Sequence, residues 1–151
     1  MTIAISIKVN EGIVLAADSA STVFGKDPKT QQEGIVNTYN NTNKIFNLRK
    51  DWPIGMITWG AGSLGPLSIS VIAKNFRNNF SERNGSEKCN VKQTADKYFD
   101  YIKEKYNESF AGFKKKPALG FIIAGYDEDE DDYHEYQILF SDSQVINPCL
   151  L

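Results

Sequence analysis

Histidine and cysteine are scarce in this 151-residue chain, which holds His134 alone of the first and Cys89 and Cys149 of the second. The two cysteines lie far apart, and no metal-ligand spacing joins them to the histidine, so a zinc cluster is excluded and no metal or cofactor is expected. A reducing, cytoplasmic setting is the expectation. An excess of positive charge is missing too: 17 Lys and Arg face 19 Asp and Glu, for a net charge of -2. No basic surface therefore calls for nucleic acid or anionic lipid, and neither is expected as a partner. No stretch approaches the ~18 uninterrupted apolar residues that a membrane helix needs, and no basic leader followed by an apolar block opens the chain. No internal repeat is found, and no linker splits the chain into domains. A single domain over 1–151 is predicted, with 41% hydrophobic residues to build its core.

What is present begins with alternation. Ile3, Ile5, Ile7 and Val9 interleave with Ala4, Ser6 and Lys8, the period of a strand whose isoleucine face is buried. Asn10-Glu11-Gly12 reads as a turn, and Ile13 to Ala17 as a second strand of a hairpin covered on both sides. From Ser21 to Asn43 the chain is polar, carries Pro28 and reads as an extended loop or a long hairpin arm. Lys44–Leu48 and Ile54–Trp59 form a further strand pair, with Arg49 to Pro53 turning between them.

Gly60-Ala61-Gly62-Ser63 is a small-residue corner, after which Leu64, Leu67, Ser68, Val71, Ile72, Phe76 and Phe80 recur at helical spacing. A polar linker from Ser81 to Lys88 leads to Asn90, which has Gln93 in the capping-box position, and Val91, Ala95, Tyr98, Ile102 and Tyr106 mark a second helix. Ala118–Tyr126 and Tyr133–Phe140 read as strands, joined by a solvated tip at the acidic run 127–132. Gly60-x-Gly62-x-x-Gly65 has the glycines of a dinucleotide fingerprint but no surrounding βαβ unit, which speaks against a nucleotide site. Strand pairs, then two helices, then a strand pair predict an α+β fold.

Thr2 carries the chemistry. Removal of a methionine before a small residue is routine, and it leaves a threonine with a hydroxyl and a free α-amine on one residue. With an unperturbed pKa of about 8, that amine can take the hydroxyl proton and make Thr2 its own base, so no histidine is needed. A nearby lysine disfavours protonation of the amine, and a carboxylate fixes the lysine. Asp18 at the end of the second predicted strand and Lys44 at the start of the third are the candidates, and the backbone N–H of Gly60 at its corner is the candidate oxyanion donor.

Together these segments resemble the β-type subunits of the proteasome and the related bacterial ATP-dependent threonine peptidase, within the N-terminal nucleophile (Ntn) hydrolases. The resemblance rests on Thr2–Val9 with Gly12–Ser19, on Asn43-Lys44-Ile45-Phe46, on Gly55–Gly60, and on the "AGYDE" of Ala124–Glu128. It implies an αββα sandwich and amide hydrolysis through an acyl-enzyme. Thr2 is then nucleophile and base, Asp18 the carboxylate, Lys44 the lysine and Gly60 the oxyanion donor, while Ser19, Ser21 and Thr22 line the substrate channel. It further implies rings of identical or related subunits, an unfolded polypeptide substrate and an ATPase partner. Three departures accompany it: a longer interval from Asp18 to Lys44, an end at Leu151 where relatives continue, so that the C-terminal third of the sandwich is expected to be lacking, and Met1 ahead of Thr2. The alternatives are a non-catalytic ring or scaffold subunit that keeps Met1, and a small-amide acylase.

Overall fold

A computed structural model of the chain describes residues 2–26, 32–50, 52–83, 90–128 and 132–151. Strand β1 (Ala4–Val9) and strand β2 (Gly12–Ala17) form the expected hairpin, in register from Ala4 opposite Ala17 to Val9 opposite Gly12. Its faces are the reverse of the expectation. Ile3, Ile5, Ile7 and Val9 are about half exposed, and Val14 with them, whereas Ala4, Ser6, Leu15 and Ala17 are turned inward. Alternation dictates which residues share a face but not which face is covered. The choice falls to the neighbouring sheet, where Gly55 leaves room for Leu15 and the buried Glu135 accepts a hydrogen bond from the Ser6 hydroxyl. The hairpin is thus covered on one side, not on both.

Strands β3 (Ser21–Lys26) and β4 (Glu33–Tyr39) make the long interval a two-stranded arm; Pro28 lies outside the described residues. β5 (Ile45–Asn47) and β6 (Ile54–Gly60) pair as expected. Where a helix was predicted to begin at Leu64, a small hairpin of β7 (Ser63–Leu64) and β8 (Leu67–Ser68) intervenes, and helix α1 (Ile69–Arg83) starts after it. Gly65, at φ 56°, and Pro66 form its turn, and the proline keeps the residue before it out of the right-handed helical region. Because α1 runs to Arg83, only 84–88 of the supposed linker remain, outside the described residues.

Helix α2 (Val91–Ser109) begins as its sequence predicts, with the Asn90 side chain accepting the Gln93 N–H at 3.1 Å. Asp127 corrects the reading of a solvated acidic tip. Its carboxylate accepts the Val91 N–H at 2.7 Å and the Asn90 amide at 2.6 Å, placing negative charge at the positive end of α2. Residues 129–131 of that run lie outside the described residues. β9 (Leu119–Tyr126) and β10 (Tyr133–Phe140) follow as predicted, and β11 (Val145–Leu150) adds an unforeseen strand. It carries Pro148, which a sheet tolerates at an edge, and an edge is where it lies.

The main sheet has five antiparallel strands in the order β11-β10-β9-β6-β5. Ile54 and Met56 of β6, with Phe121 and Ile123 of β9, join the core shared with both helices; Gly55 on the opposite face meets Leu15 of β2. Tyr98 of α2 stands edge-on to Phe76 and Phe121, with centroids 5.0 and 5.2 Å away. The expected α+β fold of αββα form is overturned. The described residues are mostly β, at 45% strand against 24% helix, and what faces the main sheet opposite its helices is a two-stranded ribbon rather than a second sheet flanked by helices. Two helices are found among the described residues, neither long and apolar enough to cross a membrane.

Candidate active site

The β1–β2 ladder ends in a way that builds the site. At the rung beyond Ala4 and Ala17, the Asp18 N–H donates to the Ile3 carbonyl at 3.1 Å, as a continuing ladder requires. The return bond goes elsewhere: the Ile3 N–H donates to Asp18 Oδ1 at 2.8 Å. The side chain takes the place of the carbonyl, so the chain turns away toward β3 while Thr2 stays tethered next to the carboxylate.

Lys44 arrives from the other sheet. Its carbonyl accepts the Thr58 N–H at 3.0 Å, which anchors its backbone at the head of β5. Its side chain is 8% exposed and its ammonium donates to both Asp18 oxygens at 3.0 Å, to the Ala20 carbonyl at 2.5 Å and to Thr2 Oγ1 at 3.4 Å. The Ile3 N–H, then the Lys44 ammonium, hold the Asp18 carboxyl below its ordinary value, with the Ala20 N–H contributing least. Asp18 is therefore an anion at neutral pH, and the cation beside Thr2 has a fixed counter-charge.

Gly60 supplies an open donor. Along β6 the Thr58 N–H points toward Lys44 and the Ala61 N–H toward Ala118, so alternation sends the Gly60 N–H to the Lys44 side, past the last rung of that pairing. Among the described residues it meets no backbone acceptor there. Glycine is required at this point, because φ is 90° and a Cβ would overlap the Ala118 carbonyl.

A cavity of about 720 Å³ joins these groups, with Thr2, Lys44 and Gly60 in its wall. Ser21 and Thr22 line it; Ser19 does not. The Ser19 hydroxyl donates instead to the Asn40 carbonyl at 2.8 Å, and the Thr42 N–H returns to the Ser19 carbonyl at 2.9 Å, so this residue cinches the base of the arm. Three contributors escaped sequence reasoning. The Ala20 carbonyl has no side-chain signature, since any residue can offer one. Ser68 and Ser70 line the cavity at the start of α1, and the bond from the Val71 N–H to the Ser68 hydroxyl is the cap signal that marks that start.

Chemically, the cluster presents a hydroxyl beside a neutralised cation and, across a cavity, an N–H with no backbone acceptor among the described residues. That suits attack on a carbonyl, provided a base accompanies the hydroxyl. Among the described residues no group of three or more His, Cys, Asp or Glu side chains could hold a metal ion. No protein-family model matches the chain, and no curated protein matches it.

Proposed function

We propose that, once Met1 is removed, the protein is a threonine-type amide-bond hydrolase acting on peptides. The observation that carries this reading is the Lys44 ammonium, buried between the Asp18 carboxylate and the Thr2 hydroxyl. The freed α-amine of Thr2 takes the proton as Oγ1 attacks the substrate carbonyl. The Gly60 N–H, with the positive end of α1 nearby, stabilises the oxyanion. Collapse expels the amine product, which leaves with the proton, and water then cleaves the Thr2 ester by the same base. Lys44 favours the neutral amine and the developing alkoxide through its charge, and Asp18 holds that charge in place. The likeness to the Ntn peptidases in the segments around Thr2, Asp18, Lys44 and Gly60 supports the same chemistry.

The test is a peptide epoxyketone, whose two electrophilic centres react with a hydroxyl and an amine of one residue. Intact-mass and peptide mapping of protein beginning at Thr2 should show a single adduct on that residue. An unlabelled Thr2, or a label that persists in Thr2→Ala, rejects the proposal.

A second reading is favoured by the exposed Ile5, Ile7, Val9 and Val14, which share the outer face of the hairpin as one apolar surface. In it the chain is a non-catalytic subunit that keeps Met1 and serves assembly. The mass of the N-terminus in the purified protein separates the two.

A further inference from the structure

We infer that the side chain held next to Thr2, on the acyl side of the bond to be cleaved, is an uncharged hydrogen-bonding group, with glutamine and asparagine the best fits. This rests on the hydrolase reading of the same cavity and goes on to the class of substrate. Charge is the first discriminator. Among the described residues Lys44 is the one charged residue in the cavity wall, and its ammonium is already shared among Asp18, the Ala20 carbonyl and Thr2. A basic side chain would meet a like charge with no free carboxylate, and an acidic one would have to compete with Asp18 for a saturated cation. Either arrangement costs desolvation of a charge that gains no partner in the wall.

The second discriminator is which polar groups in the wall are free. Three are engaged: the Thr58 hydroxyl with the Gly120 carbonyl, the Ser68 hydroxyl with the Val71 N–H, and the Asn43 side chain with the Ile45 N–H. Ser21, Thr22, Asn41, Thr42 and Ser70 also line the cavity, and their side chains make no hydrogen bond among the described residues. An aliphatic substituent would strip water from these groups and return nothing. A carboxamide, with two N–H donors and a carbonyl acceptor, matches hydroxyls and an amide that both donate and accept. Sites built this way reject analogues that cannot hydrogen-bond more strongly than apolar pockets reject a missing methylene.

The experiment uses the full chain beginning at Thr2 and a panel of acetylated tripeptide coumarylamides that differ only in the residue before the scissile bond: Gln, Asn, Leu, Arg or Glu. The expected kcat/KM for Gln and Asn exceeds that for Leu, Arg and Glu by about tenfold or more. Calorimetric binding of the same peptides to Thr2→Ala reads the preference without the chemistry, and the same order is expected. Asn41→Leu with Thr22→Val should erase the Gln-over-Leu ratio in both assays. If Leu, Arg or Glu is turned over as well as Gln, the substrate class is overturned while the hydrolase reading stands. If Thr2→Ala binds in the expected order but the Thr2 protein cleaves nothing, the class stands and the hydrolase reading is lost. Equal or absent binding across the panel overturns the inference directly.

Discussion

Asp18 and Ile3 exchange two hydrogen bonds, one through the Asp18 backbone N–H at 3.1 Å and one through its carboxylate at 2.8 Å. The same carboxylate receives the Lys44 ammonium. One side chain thus performs two separable tasks, tethering the strand that bears Thr2 and holding the cation that faces its hydroxyl.

Substitution should separate those tasks. Asp18→Asn keeps an oxygen for the Ile3 N–H but removes the counter-charge, whereas Asp18→Ala removes both. The rate of Thr2 acylation is expected to fall on the order of 10²-fold in Asp18→Asn, with the Ile3 amide still protected from hydrogen exchange, and protection should be lost in Asp18→Ala. Equal exchange in the two variants would contradict a tethering role.

Gly120 lies directly beneath the indole of Trp59, its cross-strand partner, and a Cβ there would overlap the ring. Trp59 immediately precedes Gly60, so displacing its ring disturbs the strand end that carries the proposed oxyanion donor. Gly120→Ala should cost about 1–3 kcal/mol, read from the urea midpoint. An unchanged midpoint would mean that the ring relocates freely.

Tyr98 is fully buried, and its hydroxyl has no hydrogen-bond partner among the described residues. Burial pushes the phenol far above its ordinary value, so it stays neutral and contributes through its ring contacts with Phe76 and Phe121. Tyr98→Phe should therefore be neutral, or more stable by up to about 2 kcal/mol, in thermal or urea unfolding. A loss of more than about 1 kcal/mol would point to a partner for the hydroxyl in solution.

These details mark how far the sequence could be read. The turn at Asn10-Glu11, the cap at Asn90 and the apolar stripe of Val91, Ala95, Tyr98, Ile102 and Tyr106 are local signals, and each has its counterpart in the structure. Pairing between distant segments has no such signal. Nothing in Ile54–Gly60 announces that Leu119–Gly125 lies beside it, and nothing in Val145–Leu150, with its proline, announces an edge strand. The hairpin's faces were misassigned because the identity of the covering sheet decides them. The αββα expectation failed because it came from likeness in strand-end motifs, and strand ends do not specify how many layers the rest of the chain builds. At the site, the spacing of Thr2, Asp18, Lys44 and Gly60 pointed to residues that lie close in the structure: Thr2, Lys44 and Gly60 line one cavity, and Asp18 holds the Lys44 ammonium. The family resemblance implied Ser19 as a lining residue, yet it lies outside the cavity wall and its hydroxyl is spent on the Asn40 carbonyl.

The proposal stands on the charge of Lys44 acting on Thr2, and the pH profile of Thr2 acylation by a β-lactone reads it most directly. In protein beginning at Thr2 the rate should rise with pH as the terminal amine loses its proton. Lys44→Ala should lower the neutral-pH rate by at least about 10²-fold, or ~2.7 kcal/mol of barrier, and move the midpoint of the profile to higher pH with circular dichroism unchanged. A Lys44→Ala protein that acylates within about twofold of the parent rate, with the same midpoint, would contradict the account.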